Sequence, residues 1–352
     1  MPSKRKVAIL GATGAVGQRF IQLLQGHPWF SIEVLAASER SAGKKYRDAC
    51  NWVMETDLPK DIANMTVADT TVEAVEKAGD VDIVFSSLPG DLAGPVEAEF
   101  AALFPVFSKA SAHRMEKDVP LIVPEVNPEH YELIPIQQKN HRWKGFIATD
   151  PNCSTIQLAM TLKPLMAFGL KQIVVSTMQA LSGAGYPGVA SLDIIDNVVP
   201  YISKEEEKME AEAMKILGTF SGITVQNADF QLSASCNRVH VKDGHLESVF
   251  VKLDAEPTPA EVEEAFAQFK GEPQKLKLPS APENPIVVRK EQNRPQPRFD
   301  RDTGRGMSVV VGRIRKDPIL TIKYMCLGHN TIRGGAGAGI LSAELSVAKG
   351  LA

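Results

Sequence analysis

What this 352-residue sequence lacks narrows its function before any motif is read. Its net charge is only −3 and its Lys and Arg residues form no cluster. A basic face for nucleic-acid phosphates and a polyelectrolyte tail are therefore not expected. No apolar run approaches the length of a membrane span, and "MPSKRKVAILG" offers too few apolar residues for a signal-peptide core. The expectation is a cytoplasmic protein with neither a nucleic-acid nor a membrane partner. The four cysteines, Cys50, Cys153, Cys236 and Cys326, lie far apart and include no CxxC pair. That spacing argues against a zinc knot or a disulfide framework, and no metal site is expected. Repeats and low-complexity tracts are missing as well.

With 44% hydrophobic and 23% charged residues, the chain can build two domains with real cores. "KVAIL" reads as a buried strand, "GATGAVG" as a glycine turn and "QRFIQLLQ" as a helix. Further strands are expected at "SIEVLAASER", "VDIVFSSLP" and "FPVFS", with helices at "TTVEAVEKA" and "GPVEAEFAAL" between them. Alternation of this kind predicts a doubly wound parallel sheet of Rossmann type over residues 1–150. Beyond it the texture changes. A helix through "STIQLAMTLKPL" leads to strands at "KQIVVSTMQAL", "FQLSASCNRVHV", "HLESVFVKL", "SVVVGRIR" and "ILTIKYMCL", with tight turns at "KDG" and "KDP". These predict a second α+β domain, 151–330, built on a mixed or antiparallel sheet. Helices are expected at "PYISKEEEKMEAEAMKILG" and "TPAEVEEAFAQF", the latter with Thr258 and Glu261 spaced as a capping box. The proline- and charge-rich "LPSAPENPIVVRKEQNRPQPRFDRDTGRG" is expected as a long loop serving subunit contact. A final helix, 331–352, should return to the first domain, its opening glycines permitting close backbone approach.

Gly11, Gly14 and Gly17 stand three apart between strand and helix, the context that turns a glycine motif into a dinucleotide site. There the pyrophosphate can meet free N–H groups at a helix N-terminus. At the close of the second strand stand Ser38, Glu39, Arg40 and Ser41. Glu39 could take a ribose 2′-hydroxyl, as in an NAD enzyme, but hydroxyls beside an arginine suit a 2′-phosphate better, so NADP is the expected cofactor.

"DPNCSTIQL" puts Cys153 in the first turn of a helix, where partial positive charge favours thiolate. Beside a nicotinamide, such a thiol can add to an aldehyde and give up a hydride to form a thioester. A base is needed, and "CNRVHVKDGHLESVF" offers His240 and His245. A two-residue turn at Asp243–Gly244 would pair Lys242 with His245, His240 with Glu247 and Arg238 with Val249, with Arg238 about 13 Å along the strand from His245. Spacing does not choose between the histidines.

"GATGAVG", "PNCST", "QALSGAGYPG", "EEEKMEAE", "CNRV…DGH" and "HNTIRGGAGAG", in this order and across nearly the whole chain, resemble the aspartate-semialdehyde dehydrogenase family in its archaeal and fungal branch. The resemblance implies NADPH-dependent reductive dephosphorylation of aspartyl 4-phosphate to aspartate 4-semialdehyde, a step toward lysine, threonine, methionine and isoleucine. It implies Cys153 as nucleophile, His245 as acid/base and Gln179 as the residue orienting the acyl intermediate. Arg238 would grip the substrate carboxylate, Glu205 its ammonium, and Lys208 and Arg114 the phosphate; Glu206 and Glu207 leave the choice of glutamate open. Cofactor contacts are implied for Gly11, Thr13, Gly14, Ala15, Val16, Ser38, Arg40, Ser41, Ser86, Leu88, Pro89, Ser182, Gly183, Asn330 and Thr331. His240 lies where the family does not require histidine. A homodimer or homotetramer is implied too. Two other readings are a malonyl-CoA reductase of the same branch and a catalytically silent NADP-binding regulator.

Overall fold

The computed structural model describes residues 4–352 and contains two six-stranded sheets. The first comprises β1 (Arg5–Leu10), β2 (Phe30–Ala37), β3 (Ala68–Asp69), β4 (Ile83–Ser86), β5 (Pro105–Ser108) and β6 (Phe146–Thr149). All its pairings are parallel, in the order β3-β2-β1-β4-β5-β6. The order reverses direction between β1 and β4, the switch point at which such sheets bind nucleotides. Helices cover both faces, so the strands read as unbroken apolar runs. On one face Val7, Ile9, Phe85 and Phe107 pack with Phe20 and with Ile340 and Leu341 of the C-terminal helix Gly337–Ala348; on the other, Ala8, Leu10, Val84 and Val106 pack with Phe100.

The second sheet comprises β7 (Leu170–Gln179), β10 (Gln231–Arg238), β11 (His245–Leu253), β12 (Ile286–Arg289), β13 (Val309–Lys316) and β14 (Ile322–Gly328), with a small ribbon β8 (Thr219–Phe220) and β9 (Val225–Gln226) beside it. Its order is β10-β7-β11-β14-β13-β12, and it is mixed. Among the described residues only one face is covered, by the helices Cys153–Leu165 and Glu205–Ile216 among others, which explains the strict in-out alternation of β10 and β11.

Three expectations need correction. The "KDG" turn does not close a hairpin: β10 runs parallel to β7 on one side while β11 runs antiparallel to β7 on the other. The buried alternation of each strand fits both arrangements, and inserting β7 between them lets all three share the covered face. Within the long loop, "PIVVR" forms β12, a parallel edge strand against β13, because Ile286 is buried beside Val309. The final α-helix begins only at Gly337; residues 332–336 form an irregular turn broken at Gly335. The "KDP" segment does join β13 to β14 as neighbours, and both halves of the Thr258–Glu261 capping box are present.

Candidate functional site

At the C-terminal ends of the parallel strands lies a cavity of about 970 Å³, bounded on its far side by loops at the ends of the second sheet's strands, among them residues 181–188 and 240–243. The glycine turn leads into the helix whose first residues, Ala15 and Val16, line it. Gly11 holds a φ of +72°, and a Cβ there would stand 2.8 Å from the Ser87 carbonyl oxygen. Glycine is thus required at this turn, and the helix Ala15–Leu24 starts with no side-chain cap, leaving its first N–H groups for an anion. Ala15, Val16, Leu88 and Pro89 line the cavity. Ser38 and Arg40 are exposed beyond β2, where Ser41 N–H donates to the Ser38 carbonyl at 2.7 Å. The donor set fits a dinucleotide with a phosphorylated ribose. Ser86 does not join it: its hydroxyl is fully buried and donates to Glu97 at 2.6 Å, since the last residue of β4 points into the sheet's packing.

The chemistry sits opposite. Asn152 caps the helix Cys153–Leu165, its side chain accepting from Ser154 N–H at 2.9 Å and Thr155 N–H at 3.3 Å. Cys153 therefore occupies the first helical position, and its Sγ lies 3.2 Å from His245 Nε2. His245 opens β11, Gln179 closes β7 and Arg238 closes β10, so the three converge at one end of the sheet. The long separation expected from a hairpin disappears because β7 stands between the two strands. Arg238 donates to the Ala180 carbonyl at 2.7 Å. A Cβ on Gly183 would stand 2.8 Å from Arg238 Nη1 and 3.0 Å from His245 Cε1, so this loop lies directly over both. On the other flank Gly334 packs so tightly that a Cβ would meet the Cys153 Cβ at 2.6 Å. His240 stays on the exposed rim of the cavity.

Burial changes the protonation expected from sequence. The Cys153 thiol is pushed up to about 12, by desolvation first and by the Glu205 charge second, while Arg238, Lys109 and Arg114 pull it back. Helix position alone does not make it a thiolate at rest. His245 is pushed down to about 3 by desolvation and then by the Arg238 charge, so the ring is neutral. Its tautomer follows from its partners: Ala180 N–H donates to Nδ1 at 3.0 Å, which leaves the ring proton on Nε2, facing sulfur. The ring thus offers the sulfur a hydrogen-bond donor. Accepting a further proton would require the Ala180 contact to break.

Among the three adjacent glutamates the structure makes a choice. Glu205 is buried on the cavity side and accepts from Asn152 Nδ2 at 2.6 Å, with Lys208 Nζ 3.9 Å away. Glu206 instead accepts the Cys236 N–H at the edge of β10, and Glu207 is exposed. Arg114 is brought to the cavity wall, yet its Nη1 donates to Glu212 at 2.9 Å and its Nη2 to the Lys109 carbonyl at 2.8 Å. Asn330 bridges two loops, donating to Ser182 at 2.7 Å and accepting the Gly244 N–H at 2.8 Å; Thr331 lines the cavity beside it. Gln179 is buried, and its Nε2 has no partner.

Sequence reasoning missed three residues here. Asn152 was detectable as a helix cap directly before an apolar run. Glu212, which accepts the Asn152 N–H at 2.6 Å as well as Arg114, lies seven residues after Glu205 on the same helix face, a spacing that could have marked it. Lys109 gave no signal.

The chain matches two family models: semialdehyde dehydrogenase, NAD binding domain, over residues 6–134, and semialdehyde dehydrogenase, dimerisation domain, over residues 162–333. It is 55% identical to the aspartate-semialdehyde dehydrogenase of Methanothermobacter thermautotrophicus, covering 96% of this chain and 98% of that one. Against the enzyme of the same name from Schizosaccharomyces pombe it is 50% identical, covering 99% of each. The crystal structure of aspartate semialdehyde dehydrogenase with NADP from Candida albicans superposes with a TM-score of 0.90 at 42% identity, over 99% of this chain and 100% of that one. With fold, cavity and full-length relatives in agreement, this chain belongs to the aspartate-semialdehyde dehydrogenase family.

Proposed function

We propose that this protein catalyses the NADPH-dependent reductive dephosphorylation of L-aspartyl 4-phosphate to L-aspartate 4-semialdehyde. The observation that carries the reading is the 3.2 Å contact of Cys153 Sγ with His245 Nε2 at the edge of a dinucleotide cavity. NADP is the cofactor, supported by its presence in the Candida albicans structure and by the exposed Ser38 and Arg40. When bound, the nicotinamide supplies the hydride.

The residues of this chain divide the remaining work. Arg238 takes the α-carboxylate and Glu205 the ammonium, which fixes the acyl carbon against sulfur. As Sγ attacks, the C–O bond to phosphate breaks, a thioester forms and the thiol proton leaves with the phosphate. After reduction the C–S bond breaks, and His245, donating from Nε2, stabilises the sulfur anion until it is reprotonated. Gln179, with its Nε2 unpaired, is available to the acyl oxygen. A silent regulator would have no use for the thiol–imidazole contact, and a malonyl-CoA reductase would not need the Glu205–Lys208 pair facing the thiol.

The open face of the second sheet, where Val174 is 47% exposed, belongs to the segment matched as a dimerisation domain; we propose a homodimer formed across it. No helix among the described residues is long and apolar enough to cross a membrane, and we propose a cytoplasmic enzyme. The test is direct. Cys153→Ser is expected to bind NADP as the wild type does and to lose nearly all turnover, and mass spectrometry should place the acyl adduct of the wild type on Cys153. An adduct on Cys50, Cys236 or Cys326 with Cys153 untouched would overturn the assignment.

A further inference from the structure

Glu205, Lys208, Glu212 and Lys215 recur along the helix Glu205–Ile216 at the spacing that puts side chains in one row. Glu205 and Lys208 line the cavity. The other two reach past it to Arg114. Glu212 is 2% exposed, and its Oε1 accepts from Arg114 Nη1 at 2.9 Å. Lys215, also buried, donates from Nζ to the Arg114 carbonyl at 2.7 Å and to the Glu116 and Val119 carbonyls at 2.7 and 2.8 Å. A single helix thus grips this arginine by its side chain and by its main chain.

The grip leaves the guanidinium able to take an anion. Of its five N–H groups, Glu212 and the Lys109 carbonyl use one each, and Nε has no partner. Arg114 faces the cavity together with Cys153, Asn152 and Lys208. The second oxygen of Glu212 accepts the Asn152 N–H at 2.6 Å, and Asn152 caps the helix that begins at Cys153. One buried carboxylate therefore ties the cation to the residue next to the thiol. With both oxygens occupied, Glu212 has little freedom, and the plane of the guanidinium is set before phosphate arrives.

Resting on the proposed function, with Arg114 and Lys208 as the phosphate cations, we propose that Glu212 is a positioning residue of this enzyme. It holds the Arg114 guanidinium in register with Cys153, so that phosphate meets an oriented donor as it attacks or leaves the acyl carbon. Glu212 does not line the cavity and acts through Arg114. A carboxylate suits the place where an amide does not. Both partners of Glu212 are donors, and glutamine would have to turn its own N–H₂ group toward one of them.

The experiment runs the reaction in the oxidative direction, following NADPH formation from aspartate semialdehyde and NADP while inorganic phosphate is varied. A wild-type enzyme whose rate ignores phosphate would refute the proposed function itself and is read first. Given a phosphate-dependent wild type, Glu212→Gln should lower kcat/KM for phosphate about 10- to 100-fold, the range for losing a hydrogen bond to a charged group. The KM values for aspartate semialdehyde and NADP should stay within about threefold of wild type, a split that a general loosening of the fold would not give. The decisive arm places the same substitution in an Arg114→Met background, where it should cause no further fall, because residues that act through one another are not additive. A phosphate kcat/KM within about threefold of wild type in Glu212→Gln overturns the proposal. So does an equal fall with and without Arg114, which would mean that Glu212 acts independently of the guanidinium. Glu212→Asp, which keeps the charge on a shorter arm, goes through the same cycle if the glutamine variant does not fold.

Discussion

The two sheets of this molecule bury different numbers of faces, and their functional groups differ accordingly. The first is covered on both sides, and the part of the site it carries is mostly backbone: a positive-φ glycine, an uncapped helix start and exposed residues at the close of β2. The second is covered on one side, and it delivers side chains, Gln179, Arg238 and His245, from three strand ends into a buried corner. A backbone site works in open solvent, with N–H groups that do not titrate. A buried side-chain site changes the groups it holds: Cys153 goes up, His245 goes down, and Gln179 is left without a partner. The comparison teaches that in this fold the cofactor half contributes geometry and the catalytic half contributes altered chemistry.

Substitutions can break or sharpen that contrast, and the largest effect is expected in the buried corner. His245→Ala removes the donor facing sulfur, so kcat should fall by about 10²- to 10³-fold with little change in KM, the range for losing one preorganised donor. Steady-state kinetics checks it. A loss confined to KM would mean that the corner binds substrate and does no more.

Two residues along β11, Glu247 is fully buried and pushed up to about 8 by desolvation. The folded chain therefore keeps a proton that the unfolded chain releases above its ordinary value of 4.5, and stability should decline as pH rises from about 4.5 to about 8. Glu247→Gln, permanently neutral, should be more stable than wild type at pH 8 by on the order of a few kcal/mol, with the advantage vanishing toward pH 4.5. Melting curves at both pH values decide it; a gap that does not change with pH would show that the carboxyl is not protonated in the fold.

In the cofactor half, effects should be smaller and chemically plain. Arg40→Ala is expected to weaken NADP binding by about 1–3 kcal/mol while leaving NAD nearly unchanged. Titration of both nucleotides tests it, and equal losses would move the 2′-phosphate site elsewhere. The smallest effect is expected at the rim: His240→Ala should stay within a few-fold of wild type in kcat and KM. If it were the inactive variant instead, the buried corner would not be the catalytic one.

Much of the architecture is already present in the order of residues. The strand–glycine–helix opening, the alternation of β10 and β11, the helix start at Cys153 and the Thr258 cap all rest on local rules, where spacing and side-chain type suffice. Those rules place Cys153 and the dinucleotide turn without knowledge of any distant contact. Tertiary structure alone decided what depends on which strand lies next to which. Inserting β7 between β10 and β11 is a choice among burial patterns that the alternation satisfies equally, and only it brings Arg238 level with His245. Helix packing selected Glu205 from three adjacent glutamates, and Ala180 set the His245 tautomer. Protonation states belong to the same class, because desolvation is a property of the surroundings and is not carried by a residue's own neighbours in sequence.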